Sequence, residues 1–225
     1  MVGRLRFTQG QRDGQKMESI YGLPVYQVQT DPEGLFGPHR LRRAGRHLHR
    51  KGIVRTLLPR DFEGESWMRE WALRPVDPAP LLREQATALA VEALHRQGAE
   101  LQRSTVALCG TCADRAMARA AVRLCEQVRH LIIAAPEGGE RLAHWLRWEY
   151  GIPVLPPKEG AQVALQFQPG ERREEPTLEL YGRRPDLGGI RPVMPALGAE
   201  EQDDLSLLSL LWEWGKLDPD ALKFT

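Results

Sequence analysis

Cysteine is scarce in this sequence, and its scarcity argues against a disulfide scaffold. Only Cys109, Cys112 and Cys125 occur among 225 residues, an odd count that favours a reducing, cytoplasmic location. The N-terminal residues lack the apolar core of a signal peptide, and no apolar run reaches the roughly 18 residues of a membrane helix. We therefore expect neither secretion nor a membrane partner.

The net charge is also low, and common catalytic motifs are missing. Lys and Arg together number 31 and Asp and Glu number 30, so the formal charge of +1 gives no global attraction to nucleic acid. The sequence contains no nucleophile elbow, no Walker motif, no zinc-protease motif and no paired carboxylates. These absences lower the expectation of an enzyme, and the sequence names no cofactor and no metal site.

Hydrophobic periodicity changes twice along the chain and predicts an α/β fold. Residues 1–37 alternate like the strands of an antiparallel β-meander. Residues 38–156 alternate strands with longer helical segments, which is the pattern of parallel βαβ units. Residues 157–225 predict a β-hairpin, a loop rich in Pro and Gly, and an apolar helix. We expect one compact unit: a mostly parallel, Rossmann-like three-layer sheet with helices on both faces, extended by antiparallel strands from both chain ends.

The stretch TVALCGTCADRAMARAAV, residues 105–122, has the layout of a nucleotide-binding turn. A strand leads into Gly110 and then into a helix of small residues. In outline, residues 80–155 resemble the cofactor domains of the shikimate-dehydrogenase type. That resemblance implies a nucleotide-dependent, oxidoreductase-like enzyme. The fingerprint G-x-G-x-x-G would fall on Gly110, Cys112 and Arg115, so only its first position matches.

The residues around this turn also predict a helix cap. Thr111 and Asp114 have the spacing of a capping box, with Thr111 at the N-cap of a helix over 112–127. Such a cap occupies the N–H groups that a phosphate needs, and the Asp114 carboxylate would repel an anion. The residues therefore favour a structural corner between strand and helix, in which the glycine motif is degenerate.

A thiol function is the second alternative for the same stretch. Cys109-Gly-Thr-Cys112 is a CxxC motif at a strand-to-helix turn, and it resembles the thioredoxin site, which implies disulfide exchange. Cys109 ends an apolar strand, however, so we expect it to be buried. Asp114 would in addition oppose formation of a thiolate.

A second turn is expected beside the first. Gly138 and Gly139 follow the next predicted strand and could form an anion-binding nest. Because the carboxyl ends of parallel strands meet at one edge of a sheet, turns 109–114 and 136–140 should lie together. The expected ligand is a small anion. The candidate cofactor-binding residues are Gly110, Thr111, Cys112, Glu137, Gly138 and Gly139.

Two further segments stand out by composition. Residues 40–60 carry seven Arg and no acidic residue, and Arg42, Arg46 and His49 or Arg50 could form one cationic ridge. No aromatic residues lie between them to stack on bases, so a solvated helix face is favoured over a nucleic-acid contact. The predicted helix 203–214 is apolar on nearly all sides. It must pack within its own domain or against a second copy in a homodimer.

These features favour a non-catalytic binding or interaction protein with a degenerate nucleotide-binding fold. The first alternative is a nucleotide-dependent enzyme with its site at turns 109–114 and 136–140. The second alternative is a thiol redox protein that uses Cys109 and Cys112. Fold-level likeness does not decide among them.

Overall fold

A computed structural model describes residues 1–9, 13–33, 36–60 and 62–225 of the chain. The chain divides into two units. Unit 1 comprises Met1–Asp77 and Ser209–Leu217, and unit 2 comprises Pro78–Leu208 and Asp218–Thr225. The boundary after Asp77 falls inside the segment 38–156 that the sequence suggested as a single core.

Unit 1 is built on a five-stranded sheet with the order β2-β3-β1-β4-β5. One face packs against helices α1 and α2 through apolar side chains that include Val28, Leu48 and Trp67. The bounds of these elements are β1 Val2–Phe7, β2 Gly14–Ile20, β3 Leu23–Thr30, α1 Gly37–Arg50, β4 Arg55–Leu57, α2 Glu65–Glu70 and β5 Arg74–Pro75.

The antiparallel meander predicted for residues 1–37 is wrong for the first strand. β2 and β3 form a hairpin through Tyr21 and Gly22, both with positive φ. β1 instead lies at the centre of the sheet and runs parallel to both β3 and β4. Alternation of apolar residues shows which face of a strand is buried, and it does not specify which strand lies alongside.

Unit 2 is built on an all-parallel sheet with the order β10-β9-β6-β7-β8. Starting from β8, this is the 3-2-1-4-5 order of dinucleotide-binding folds, and the order reverses between β6 and β9. The α/β class with a mostly parallel sheet is therefore confirmed. The strands are β6 Thr105–Cys109, β7 His130–Ala134, β8 Val154–Leu155, β9 Val163–Gln166 and β10 Thr177–Glu179.

The hairpin predicted after residue 157 is wrong, because β9 and β10 are parallel. The connection between these strands passes over the sheet instead of reversing in a tight turn. Arg173 fixes its path by donating hydrogen bonds to the carbonyl oxygens of Pro157 and Glu159, which precede β9. Antiparallel pairing at the C-terminal end is confined, within the described ranges, to β11 Pro192–Val193 and β12 Lys223–Phe224.

The helices of unit 2 pack on one face of its sheet. Helices α4 to α6 share a core with Leu108, Leu131 and Leu165. Among the described residues, the cluster on the opposite face contains strand and loop residues such as Cys109 and Ala161, and no helical residue. This departs from the predicted helices on both faces. The helices are α3 Ala79–Glu84, α4 Ala86–Arg96, α5 Arg115–Cys125 and α6 Gly139–Tyr150.

The apolar C-terminal helix is α7, Leu205–Glu213. The Asp204 carboxylate accepts hydrogen bonds from the first backbone N–H groups of this helix. The chain itself buries its central leucines almost completely, so they do not require a second copy for burial, and the homodimer stays a prediction. These leucines are Leu207, Leu208, Leu210 and Leu211. In the described part of the chain, no helix is long and apolar enough to cross a membrane.

Candidate functional site

The structure brings the two candidate turns of unit 2 together at the carboxyl edge of β6 and β7. The Gly110 N–H donates to the Ala134 carbonyl at 3.1 Å, and the Ala113 N–H donates to the Glu137 carbonyl at 2.8 Å. Cys112 and Glu137 form a parallel β-bridge. The parallel pairing of β6 and β7 thus continues into the two turns, where backbone N–H and carbonyl groups form hydrogen bonds with each other.

The predicted helix cap is wrong, because the helix begins later than expected. Asp114 is the N-cap of α5, and its Oδ1 accepts a hydrogen bond from the Met117 N–H at 2.9 Å. Thr111 is exposed and does not cap the helix. The bridge between Cys112 and Glu137 holds the chain extended there, so the helix begins only at Arg115.

Gln168 reaches the same turn from the loop that follows β9. Its Nε2 donates to Asp114 Oδ2 at 2.8 Å, and its Oε1 accepts from the Cys112 N–H at 3.4 Å. A Cβ on Gly110 would lie only 2.1 Å from Gln168 Oε1, so this glycine is needed for the approach of the glutamine. The first fingerprint glycine therefore accommodates a side chain of the same protein.

Sequence reasoning missed Gln168, although a weak signal exists. The apolar stretch VALQFQ ends in two amide side chains, Gln166 and Gln168, just where β9 leaves the sheet. Gln166 is buried, and its Oε1 has no hydrogen-bond partner among the described residues. Only the strand order reveals that β9 neighbours β6 and that these amides lie at the topological switch point.

Acidic and basic side chains both lie at this edge: Arg115 begins α5, and the Arg141 guanidinium lies beside Gly138. The Asp114 carboxylate occupies the N-terminus of α5, and the exposed Glu137 lies in the facing turn. Gly138 begins α6 in the left-handed conformation, with φ of 75°, and Glu140 follows in the first helical turn. The arrangement provides backbone donors at two helix N-termini, and the Asp114 carboxylate already occupies one of them.

The cysteines of the CxxC motif are free thiols in different surroundings. Cys109 is 3% exposed, and burial raises its pKa to about 11. Its side chain belongs to the cluster on the face opposite α5, so the helix N-terminus cannot stabilise a Cys109 thiolate. Cys112 is partly exposed in the bridged turn.

The cations of the basic segment that lie on α1 include a ridge and a pocket residue beside it. Arg42, Arg46 and Arg50 are exposed, as a solvated ridge requires. Arg43, which is also exposed, lies beside this ridge and lines a pocket together with His47. The His49 ring is 3.2 Å from the Trp71 carbonyl oxygen, away from that pocket. Across the described ranges, no group of three or more His, Cys, Asp or Glu could hold a metal ion.

Known proteins resemble this chain only weakly. No family model and no curated protein matches it. The chain resembles L-tryptophan dehydrogenase from Nostoc punctiforme over 73% of its own length at 15% identity and a TM-score of 0.32, and it spans 55% of that protein. It resembles aspartate transcarbamoylase from Trypanosoma cruzi at 12% identity and a TM-score of 0.32, covering 94% of this chain and 81% of that one. A third structure, the TT0316 protein from Thermus thermophilus, gives 16% identity and a TM-score of 0.30, covering 74% of this chain and 64% of that one. Likeness at this level carries no functional argument.

Proposed function

We propose that this protein is a non-catalytic binding protein, in which the Rossmann-like unit is a support and not a cofactor domain. The observation that carries the proposal is the position of Gln168. Its amide lies at the switch point, where it accepts a hydrogen bond from the Cys112 N–H and donates one to the Asp114 carboxylate.

A dinucleotide at this edge would meet three obstacles. Its pyrophosphate would need the backbone donors that Cys112, Ala113 and Met117 already use within the protein. It would have to displace the Gln168 amide, and it would then lie beside the Asp114 carboxylate. Each obstacle raises the free energy of binding, because internal hydrogen bonds worth about 0.5–1.5 kcal/mol each must first break or because two negative charges come together.

In this proposal the six candidate cofactor-binding residues have structural roles. Gly110 makes room for Gln168. Thr111 and Glu137 tie the two turns together through backbone hydrogen bonds, and Cys112 lies opposite Glu137 in the resulting bridge. Gly138 and Gly139 allow α6 to begin close to the end of β7. A ligand at this edge would bind only after these internal contacts had opened.

Calorimetric titration with NAD(H) and NADP(H) tests the proposal. We expect no saturation of the wild-type protein up to about 1 mM cofactor. The control variant is Gln168→Ala, which frees the Cys112 N–H. If the wild type bound a cofactor, this variant should bind it at least as tightly. A low-micromolar Kd of the wild type for either cofactor would overturn the proposal.

The thiol alternative has its own test. In a variant that keeps Cys109 but carries Cys112→Ser and Cys125→Ala, the folded protein should react with Ellman's reagent about 100-fold more slowly than the same chain in urea. The reason is that burial raises the Cys109 pKa from 9.0 to about 11, so the thiolate fraction falls by that factor. Equal rates, or insulin reduction that Cys109→Ser abolishes in the wild-type background, would restore the redox function.

A further inference from the structure

Unit 1 contains a pocket that neither the proposed function nor the sequence motifs explain. It has a volume of about 440 Å³ and lies where β3 ends, beside the start of β2 and the first half of α1. We infer that this pocket binds the carboxylate or phosphate group of a small organic anion. The inference rests on the proposed binding function and adds a site and a ligand class to it.

Unneutralised positive charge is the first argument. Arg40 and Arg43 both line the pocket. Arg43 forms no hydrogen bond and no ion pair with any residue in the described part of the chain, and Arg40 approaches the Asp31 carboxylate only at 3.7 Å. Asp13 is the acidic member of the lining, and it accepts a hydrogen bond from the Thr30 hydroxyl. A guanidinium left open in a concave site matches the planar oxygens of a carboxylate or phosphate.

His47 of the lining adds a hydrogen-bond donor and little charge. Burial lowers the pKa of His47, and the positive charges of Arg43, Arg50 and Arg46 lower it further, whereas Asp13 acts in the opposite direction. A neutral His47 can donate one hydrogen bond to an anion. The open positive charge of the site therefore comes from Arg43, because Arg40 lies within ion-pair distance of Asp31.

The remaining lining fits a small molecule better than a bare ion. Val28, Ala44 and Phe36 contribute apolar surface, and Phe36 is 70% exposed at the pocket. Gln15 is held in place by the Tyr26 hydroxyl, which donates to its Oε1 at 2.6 Å. Pockets of roughly 300–1,000 Å³ that combine apolar walls with a few polar groups are typical of small-molecule sites. We therefore place the anionic group at Arg43 and the organic part against Phe36.

Titration calorimetry with two model anions tests this inference. Benzoate presents a carboxylate on an aromatic ring, phenyl phosphate presents a phosphate on the same ring, and benzyl alcohol is the neutral control. Arg43→Gln removes the open cation of the pocket. Arg42→Gln removes a neighbouring exposed cation of α1 that does not line the pocket, so it is the matched control for general electrostatic attraction. Circular dichroism melting curves establish that both variants are folded.

We expect at least one anion to bind the wild type with a Kd below about 1 mM. Arg43→Gln should weaken this binding at least about tenfold, and Arg42→Gln should change it by less than about twofold. The tighter anion assigns the ligand as a carboxylate or as a phosphate ester. The inference is overturned if neither anion binds, if benzyl alcohol binds equally well, or if Arg42→Gln weakens binding as much as Arg43→Gln. The cofactor titrations of unit 2 do not depend on these results, so the two proposals can fail separately.

Discussion

At the carboxyl edge of the unit 2 sheet, backbone and side-chain groups of neighbouring loops satisfy one another, whereas at the end of β3 in unit 1 the guanidinium of Arg43 faces an open pocket. In unit 2 an amide, Gln168, reaches into the crevice and takes the available donor. In unit 1 the pocket is lined by Arg43, a cation without an ion-pair partner among the described residues. The edge in unit 2 lies at the ends of parallel strands, whereas the pocket in unit 1 lies beside the antiparallel pair β2 and β3.

This comparison separates residues that stabilise from residues that remain available to a ligand. A satisfied polar network contributes to the stability of the folded chain, and its members cost free energy when they are removed. Cations held close together repel one another, and a protein keeps them at some cost in stability. Mutational effects on unfolding should therefore be large around Gln168 and small around Arg43.

The largest effect is expected in the connection between β9 and β10 of unit 2. Arg173 makes a bidentate ion pair with Glu175, at 2.9 and 3.0 Å, and the Ala161 N–H also donates to this carboxylate. The hydrogen bonds from Arg173 are the main reason that the Glu175 pKa falls from 4.5 to about 2. Glu175→Gln should therefore destabilise the protein by about 1.5–3 kcal/mol at pH 7, because it removes the charged partner of the Arg173 guanidinium.

The sign of the pH dependence follows from the lowered pKa. The contribution of the ionised Glu175 is complete above its unfolded pKa, near 4.5, and it is lost as the pH falls toward 2. Urea unfolding between pH 7 and pH 2 should show this loss in the wild type and a shallower decline in Glu175→Gln. If the free energies of unfolding of the two proteins declined equally as the pH falls, the ion pair between Arg173 and Glu175 would not stabilise the fold.

The next effect compares two residues of the capped turn. Asp114→Ala should cost about 1–2 kcal/mol, because it removes the N-cap of α5 and the partner of Gln168. Thr111→Ala should change the stability by less than about 0.5 kcal/mol, since Thr111 is exposed and does not cap α5. Urea midpoints of the two variants measure this difference. A larger loss for Thr111→Ala would mean that the helix begins where the sequence pattern predicts it.

The sequence allowed the fold class to be predicted better than the contacts of the site. Hydrophobic periodicity records burial, so the βαβ pattern predicted the parallel sheet of unit 2, and the apolar strand predicted a buried Cys109. The capping-box spacing of Thr111 and Asp114 was misleading, because a bridge to Glu137, distant in sequence, keeps the turn extended. Local patterns contain no information about such a partner.

The same limit explains why Gln168 and the unit 1 pocket were not predicted. Gln168 reaches Gly110 only because β9 lies beside β6, and that neighbourhood is a property of the strand order. The spacing of the cations on α1 suggested a ridge of Arg42, Arg46 and Arg50. The end of β3 instead forms a pocket with Arg43 and the face of the helix beside this ridge.

A double-mutant cycle of Gly110 and Gln168 should show a smaller but more specific effect on stability at the carboxyl edge of the unit 2 sheet. Gly110→Ala would place a Cβ 2.1 Å from Gln168 Oε1 and should displace this side chain, which costs about 1 kcal/mol through the lost hydrogen bonds. Gln168→Ala should cost a similar amount. Because both changes remove the same contacts, the double variant should be little worse than either single one. Additive losses would mean that Gly110 acts through its backbone alone.

The smallest effect is expected in the open pocket. Arg43→Gln should change the free energy of unfolding by less than about 0.5 kcal/mol, because Arg43 has no ion-pair partner among the described residues and lies near other cations of α1. Relief of repulsion from Arg46 and Arg50 favours a slight gain. Urea unfolding at low and high salt measures it, since salt screens this repulsion and should reduce any gain. Arg173→Gln is the matched comparison in unit 2, where the same substitution breaks the ion pair with Glu175 and should be clearly destabilising. A loss for Arg43→Gln as large as that for Arg173→Gln would show that Arg43 is a structural cation, and the contrast between a closed and an open edge would no longer hold.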